Sequence, residues 1–483
     1  MVSSGKSNKN KEMRKRNFYP YILLLALVGT VSACRVGRNY ESPDLGLPQQ
    51  YQDQSTGDSS IAAVSWKAFF NESQLQLLIE NTLKNNLDLK IAVQRLSAAQ
   101  SYLKQARAAF YPSVTGQVNA STNIPSKNSL NGLSLDNFIG TSHIEDYTVS
   151  VGATWEADIW GKIRRQKEAA QASYLQTYEA VRAVQTTLVA TVASGYFNLL
   201  MLDAQLNIAK KNVALSDTIV TMIRLQKEAG SATELAVQQA ISQQLVASKL
   251  VPQLEQAIIV QQNALRLLGA EFPGTVNRIG AINDFPVYEQ LSAGVPAVLL
   301  HYRPDVRAAE QQLIAANANV GVAQGSMYPS LSITATGGVN AFKASQWFTL
   351  PGSLFATVTG GITQPIFQRR ALKTRLEVAK AQREEAELNF KMQVLSAVHE
   401  VSNSLAGIDK LKEQERIVIA QNQNNSKAVN NAKMLFTGGL ANYLEVVTAQ
   451  SNALQSELNL ADVHRQQLQA VAELYRALGG GYE

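Results

Sequence analysis

The sequence has little of what catalytic and metal-binding sites require. It holds one cysteine and four histidines in 483 residues, which excludes an intramolecular disulfide framework and a cysteine-rich metal site. A zinc-protease motif begins at His399-Glu400, but Asn403 stands where the second histidine is needed. No phosphate-binding glycine loop occurs. The sequence therefore predicts a protein that is not an enzyme and that carries no metal or other cofactor.

Net positive charge is also scarce beyond the N-terminus. The formal net charge is +6, and residues 1–33 contribute +5 of it, from six Lys and Arg residues against one Glu. The rest of the chain is therefore nearly neutral. A basic nucleic-acid-binding surface has no support, and we expect no nucleic-acid partner.

The N-terminus has the features of a secretory signal. Cationic residues 6–16 precede the apolar run Tyr21–Val28, which is far shorter than the roughly 18 residues of a membrane-spanning helix. The only cysteine, Cys34, ends a Val-Ser-Ala-Cys sequence that resembles a bacterial lipobox. The resemblance implies cleavage before Cys34, acylation of that residue (for example with palmitate) and anchoring to membrane lipid. Because Arg35 is not acidic, the outer membrane is favoured. The alternative is a plain signal peptide with an incidental cysteine.

The rest of the chain consists of one unit that occurs twice. Matching anchors recur in the same order at offsets of 207 to 217 residues, and they are Tyr111-Pro112-Ser113 with Tyr328-Pro329-Ser330, Asp158-Ile159-Trp160 with Pro365-Ile366-Phe367, Gly230 with Gly439, and Arg266 with Arg476. Such self-similarity is typical of a repeat architecture. The predicted domains are a signal peptide (1–33), a lipid-anchored N-terminal segment (34–65), a first repeat (66–285) and a second repeat (286–483).

Each repeat contains two strands followed by two long helices. Apolar residues alternate with small polar ones in four segments, which predicts strands at about 113–121, 146–158, 330–340 and 353–363. Long stretches with apolar residues at heptad spacing predict coiled-coil helices at about 162–229, 232–268, 366–436 and 440–478.

The predicted strands impose a physical constraint. Four strands cannot close a barrel, and an open sheet edge is not tolerated in hydrocarbon. Single-chain outer-membrane barrels begin at about eight strands, so closure requires at least two copies of this chain. We therefore predict an oligomeric tube, a membrane barrel continuous with a helical barrel roughly 100 Å long. The alternatives are a soluble sandwich for the strands and a solvated rod for the helices.

The sequence resembles the outer-membrane factor (TolC-like) family, in the lipoprotein branch of resistance–nodulation–division efflux systems. The resemblance covers about residues 55–483, and the motifs that carry it are Val31-Ser32-Ala33-Cys34, Trp155-Glu156-Ala157-Asp158-Ile159-Trp160-Gly161-Lys162, Arg303-Pro304-Asp305-Val306, Gly321-Val322-Ala323, Gln364-Pro365-Ile366-Phe367, Asn442-Tyr443-Leu444 and Leu478-Gly479-Gly480-Gly481. It implies a mainly α fold with a transmembrane β part. It also implies a homotrimer with a 12-stranded β-barrel and a helical coiled-coil barrel.

The resemblance implies two functional places at the periplasmic tip. A gate ring is expected at Leu444, Glu445 and Thr448. Relatives can carry an aspartate where this chain has Thr448, so we predict a predominantly apolar constriction at Leu444. A surface that contacts the periplasmic adaptor is expected at the two helical hairpins, at Gly230, Thr233, Gly439 and Asn442. The alternative is that these glycines only end helices.

The predicted function is the passive exit duct of a tripartite efflux pump, which conducts small molecules from the periplasm to the exterior. The expected partners are two further copies of the chain, a periplasmic adaptor (membrane-fusion) protein, an inner-membrane resistance–nodulation–division transporter and outer-membrane lipid. A type I protein-secretion duct and a non-channel coiled-coil structural lipoprotein remain open as alternatives.

Overall fold

The computed structural model describes residues 36–48, 51, 61, 64–131, 133–134, 140–285, 294 and 296–482. The predicted signal peptide and Cys34 lie outside these residues. The helices, in chain order, are α1 (Trp66–Phe69), α2 (Ser73–Asn85), α3 (Leu87–Ala108), α4 (Lys162–Glu228), α5 (Glu234–Leu268), α6 (Leu299–Tyr302), α7 (Pro304–Gly325), α8 (Ala371–Thr437) and α9 (Tyr443–Ala477). The strands are β1 (Ser113–Asn123), β2 (Ile144–Ala157), β3 (Ser330–Ala341) and β4 (Leu354–Thr363).

Two of the long helices begin three or more residues later than the sequence predicts. Helix α8 begins at Ala371 rather than near residue 366, because Arg369 and Arg370 have φ angles of +48° and +66°. A left-handed backbone cannot be part of a right-handed helix. Helix α9 begins at Tyr443 rather than near 440, because Asn442 has an extended backbone and caps the helix.

The described residues form two units. The first contains the described part of Met1–Glu41 together with Tyr102–Gln171 and Ala315–Arg383. Its centre is one antiparallel sheet with the strand order β1-β2-β3-β4. Strands β1 and β4 each pair on one side only, so they are the two edges of this sheet.

The second unit is helical and contains the described parts of Ser42–Ser101, Ala172–Ile314 and Glu384–Glu483. In its core, the ring of Tyr475 stacks on Phe69, with ring centroids 4.2 Å apart, and the Tyr475 hydroxyl donates to the carbonyl oxygen of Val64 over 2.5 Å. Helices α4 and α5 approach closely at Gly195, where a Cβ would lie 2.7 Å from Cδ2 of Leu265. The single glycine of α4 is therefore required by helix packing.

Helix α4 is also the one described helix that is long and apolar enough to be a candidate membrane span. Of its most apolar stretch, 61% is buried within the chain, as in the core helix of a soluble protein. Its apolar character is accounted for by this packing.

Candidate functional site

The sheet has one apolar face that is largely exposed. In the observed register, Val118 of β1 lies opposite Val149 of β2, and Val149 lies opposite Val339 of β3. Large apolar side chains on this face that remain exposed are Val114, Val118, Val151, Trp155, Ile333, Leu354, Val358 and Ile362. Soluble monomers rarely expose so large a contiguous apolar surface. The face is therefore suited to contact with lipid or with another apolar partner.

The opposite face is lined by small polar side chains. Thr334 of β3 lies opposite Thr154 of β2 and Thr359 of β4, and Thr336 lies opposite Thr357. A hydroxyl group can both donate a hydrogen bond to water and accept one from it. One face of the sheet is thus apolar and the other is wettable.

Aromatic residues lie toward both ends of the strands. Toward one end, the ring of Tyr147 lies 5.3 Å from that of Trp347. Toward the other, Trp155 lies on β2, and beyond the strand Trp160 stacks on Tyr328 with ring centroids 4.9 Å apart. A membrane strand tilted by about 45° needs about 9–11 residues to cross the hydrocarbon core, and the four strands have 10 to 14 residues. Membrane barrels also carry aromatic girdles at both interfaces. The strand lengths and the aromatic residues fit this geometry.

The segment of residues 36–39, shortly after Cys34, is hydrogen-bonded to other parts of the first unit. The backbone N–H of Val36 donates to the carbonyl oxygen of Trp160 over 3.4 Å. The buried guanidinium of Arg165 donates to the carbonyl oxygen of Gly37 (2.9 Å) and to Oδ1 of Asn39 (3.1 Å), and pairs with Glu168 at 2.7 Å. This segment therefore has a defined binding place beside the last residues of β2.

The first helical hairpin ends in a compact turn. Gly230 has a φ of +77°, its N–H donates to the carbonyl oxygen of Lys227, and the N–H of Ser231 donates to that of Gln226 over 2.8 Å. These two bonds are the Schellman motif, which satisfies the last carbonyl groups of α4. Thr233 caps the start of helix α5, and its Oγ1 accepts a hydrogen bond from the N–H of Ala236 over 3.2 Å. The sequence motif of Thr before an apolar run signals this cap.

The second hairpin has the same construction. Gly439 has a φ of +73°, and the N–H of Leu440 donates to the carbonyl oxygen of Leu435 over 2.8 Å. Oδ1 of Asn442 accepts from the N–H groups of Leu444 (2.9 Å) and Glu445 (3.2 Å). The four predicted tip residues thus have structural roles as helix ends and caps, and a Cβ on either tip glycine would meet nothing within 4 Å.

The three predicted gate residues lie on the exposed side of α9. Leu444, Glu445 and Thr448 are all exposed, and Leu444 and Thr448 are one turn apart on one face. Beside them, an apolar cluster that the sequence did not predict joins the two hairpins. Its buried members are Ile219, Val220, Ile223, Ala236, Val237, Ala240, Phe436 and Val446. The three predicted gate residues therefore lie next to an apolar cluster that both hairpins share.

A second missed feature is a buried polar network around Arg303, at the start of α7. Its guanidinium contacts Asp305 (2.9 and 2.5 Å), Glu400 (2.9 Å) and the carbonyl oxygen of Ala477 (2.9 Å). Burial acts to raise the pKa of Asp305, but the hydrogen bonds and charge of Arg303 prevail and lower it. Glu400 also accepts from Arg476 over 3.0 Å. The network ties the start of α7 to α8 and to the end of α9.

No metal centre is found in the described part of the chain, where no group of three His, Cys, Asp or Glu side chains could hold an ion. His464 lies 2.8 Å from Oε1 of Glu415 and 2.7 Å from Oδ1 of Asn283. One imidazole and one carboxylate are too few ligands for the usual protein metal sites.

Several known proteins are similar to this chain over most of its length. The cation efflux system protein CusC of Escherichia coli is 28% identical over 472 residues, which cover 96% of this chain and 98% of that protein. The toluene efflux pump outer membrane protein TtgF of Pseudomonas putida is 30% identical over 478 residues, with coverages of 96% and 97%.

Solved structures show the same fold. The outer-membrane channel OprN superposes with a TM-score of 0.84 at 26% identity, covering 93% of this chain and all of that one. The sequence profile described as "outer membrane efflux protein" matches residues 78–270 and 295–480. The predicted mainly helical fold with a β part is confirmed. Because the profile covers both repeats, the chain belongs to the outer membrane efflux protein family.

Proposed function

We propose that three copies of this chain form the exit duct of a tripartite efflux pump, which conducts small molecules out of the periplasm. The observation that carries the proposal is the four-stranded sheet, with an exposed apolar face and open edges at β1 and β4. An open edge in hydrocarbon leaves backbone groups unpaired, so edges of neighbouring copies must pair. Three copies give twelve strands, within the range of known outer-membrane barrels.

The wettable face of the sheet supports an aqueous lumen. Thr154, Thr334 and Thr359 form a row across three strands on this face. Such a lining lets water and polar solutes pass without binding them tightly. The selection of cargo then belongs to an inner-membrane transporter of the resistance–nodulation–division class, and this chain acts as a passive conduit.

The N-terminal segment supports a lipid anchor at Cys34. Val36 is bonded to Trp160, next to the aromatic residues that match an interfacial girdle. Acyl chains on Cys34 would therefore enter the membrane leaflet near the end of the sheet where β2 ends. Intact-mass measurement of the purified protein tests this: we expect a diacyl- or triacylglyceryl mass increment, lost in Cys34→Ser. An unmodified chain that begins elsewhere would contradict it.

The tip residues support a gate and an adaptor contact. Leu444, Glu445 and Thr448 are exposed on α9, where three copies can place them around a common axis and close the tip at rest. Gly230, Thr233, Gly439 and Asn442 shape the two hairpin ends that the periplasmic adaptor would contact. Asn442→Ala removes a cap worth about 1 kcal/mol and should weaken adaptor binding, whereas Asn442→Asp keeps the cap and serves as the control.

The central experiment measures assembly and conduction in one preparation. The detergent-purified protein should migrate as a trimer in unheated gels and as a monomer after boiling. It should also conduct ions in planar bilayers, and deletion of its gene should sensitise the host to exported compounds. A monomer that stays soluble without detergent would overturn the proposal. A non-conducting trimer would favour a structural coiled-coil lipoprotein.

A further inference from the structure

A cavity of about 310 Å³ opens in the helical unit, between the start of α2, helices α4 and α9, and the turn at residues 279–285. Its floor is apolar and buried, since Phe70, Leu75, Phe197 and Val471 are each at most 6% exposed. Ligand pockets in proteins commonly begin at about 300 Å³ and have mostly apolar walls. The volume therefore suits a small organic molecule.

The wall of this cavity is rich in aromatic rings. Phe69 and Phe70 form an edge-to-face pair with centroids 4.9 Å apart, and Phe197 and Phe285 form another at 5.6 Å. One face of Phe69 is covered by the stacked ring of Tyr475, so a ligand contacts the remaining ring faces and edges. The face of an aromatic ring attracts a cation through its quadrupole.

Two carboxylates line the same cavity. Glu72 accepts hydrogen bonds from the backbone N–H groups of Gln74 (2.9 Å) and Leu75, and Asp284 accepts from that of Ala281 (2.7 Å). These bonds fix the two carboxylates but leave their negative charge, because no Lys or Arg lines the cavity. Nor does any ion pair to Lys or Arg involve either residue within the described segments. The electrostatic character of the cavity is thus anionic.

We propose that this cavity is a binding site for a small organic monocation that carries an aromatic or branched alkyl group, such as a benzyl-substituted quaternary ammonium ion. The apolar group fills the phenylalanine floor, and the positive charge lies near Glu72 and Asp284. An anionic amphiphile is repelled by the carboxylates. A metal ion is also disfavoured, because the apolar floor cannot replace its hydration shell. The proposal does not depend on trimer formation or on export.

The test uses benzyltrimethylammonium as the probe and its uncharged carbon analogue, neopentylbenzene, as the matched control. Saturation-transfer NMR on the full-length, detergent-purified protein should show one saturable site per chain, with a Kd of roughly 0.1–1 mM. The neutral analogue should bind about tenfold more weakly, because it lacks the cation–π and charge contributions. Equal binding of the two probes, or no saturable binding, would overturn the proposal.

Two variants locate the site. Asp284→Asn should weaken binding of the cation about three- to tenfold and leave the neutral analogue unaffected. Phe285→Leu, at a half-buried position, should weaken binding of the cation more than binding of the neutral analogue. Glu413→Gln removes an exposed carboxylate of α8 outside the cavity and should change nothing. If Asp284→Asn does not fold, Phe285→Leu decides alone. Equal loss in the control and in the cavity variants would place the cation elsewhere and refute the assignment.

Discussion

Arg165 and Gly37 are joined by a hydrogen bond of 2.9 Å from Nη2 of the guanidinium to the backbone carbonyl oxygen. The same arginine side chain packs against Gly321 of α7, where a Cβ would lie 2.9 Å from its Cγ and 3.0 Å from its Cδ. Arg165 is 1% exposed and has no room to move aside. Gly321 therefore permits the arginine to hold the N-terminal segment.

Replacing this glycine tests the packing. We expect Gly321→Ala to lower the free energy of unfolding by about 1–3 kcal/mol, because the added methyl group overpacks a buried side chain. Gly407→Ala is the matched control, since Gly407 also lies inside a helix, α8, but has open space around its Cβ position. It should be neutral or stabilising by about 0.5–1 kcal/mol. Thermal unfolding in detergent measures both. A Gly321→Ala variant as stable as Gly407→Ala would contradict the packing argument.

The two faces of the sheet can be distinguished by one charge. Val118→Lys should impair membrane assembly, since a lysine on the lipid face costs about 2–4 kcal/mol near the bilayer midplane. Gln117→Lys places the same charge on the neighbouring residue of β1, whose side chain points to the opposite face. It should assemble normally and change only ion selectivity. The yield of heat-modifiable oligomer in outer-membrane fractions is the measurement. Equal yields would rule out a lipid-facing Val118.

The gate proposal predicts an asymmetry between the two hairpins. Leu444→Ser should raise single-channel conductance in planar bilayers, because it removes an apolar group from the constriction. Leu235→Ser is the internal control: it alters the equivalent residue of the first repeat, which is 60% exposed against 56% for Leu444. This second variant should conduct like the parent. Unchanged conductance in Leu444→Ser would remove the gate from this position.

The lowered pKa of Asp305 predicts an acid-sensitive contribution to stability. The folded chain favours the carboxylate, so this contribution is complete above the ordinary aspartate pKa of about 3.9. It is lost as the pH falls from there through the lowered folded value. Asp305→Asn should reduce stability at neutral pH by about 1–2 kcal/mol, because Arg303 loses a charged partner. The substitution should also make the stability less dependent on pH below about pH 4.

Unfolding midpoints between pH 3 and 7 test this prediction. Asp409→Asn, at an exposed position of α8, is the control and should keep the stability and acid dependence of the parent. If Asp305→Asn retains the full acid dependence, other carboxylates account for it.

The local features of the fold could be predicted from the sequence, since they depend on neighbouring residues. Alternating valine and threonine indicates β1 and β2, and a tip glycine followed by Thr233 or Asn442 marks the ends of the hairpins. The later start of α8 could not be predicted, because an arginine such as Arg370 carries no signal for a left-handed backbone.

The buried arginines could not be predicted either. In the polar first turns of α4, Arg165 is indistinguishable from a surface residue. Its burial arises from Gly37 and Gly321, which are distant in the sequence. Likewise, the partners of Arg303 include Glu400 and Ala477, on other helices. Sequence periodicity reports on one element at a time, whereas such contacts depend on how elements meet.

The two hairpin ends are alike in their glycine turns but differ in their caps. Thr233 accepts one backbone hydrogen bond, whereas Asn442 accepts two. In the proposed trimer, the tip would present six hairpin ends, three of each kind in alternation. A partner with six equivalent binding sites must therefore tolerate two different hairpin ends. The end with more capping hydrogen bonds is that of the helix that carries Leu444.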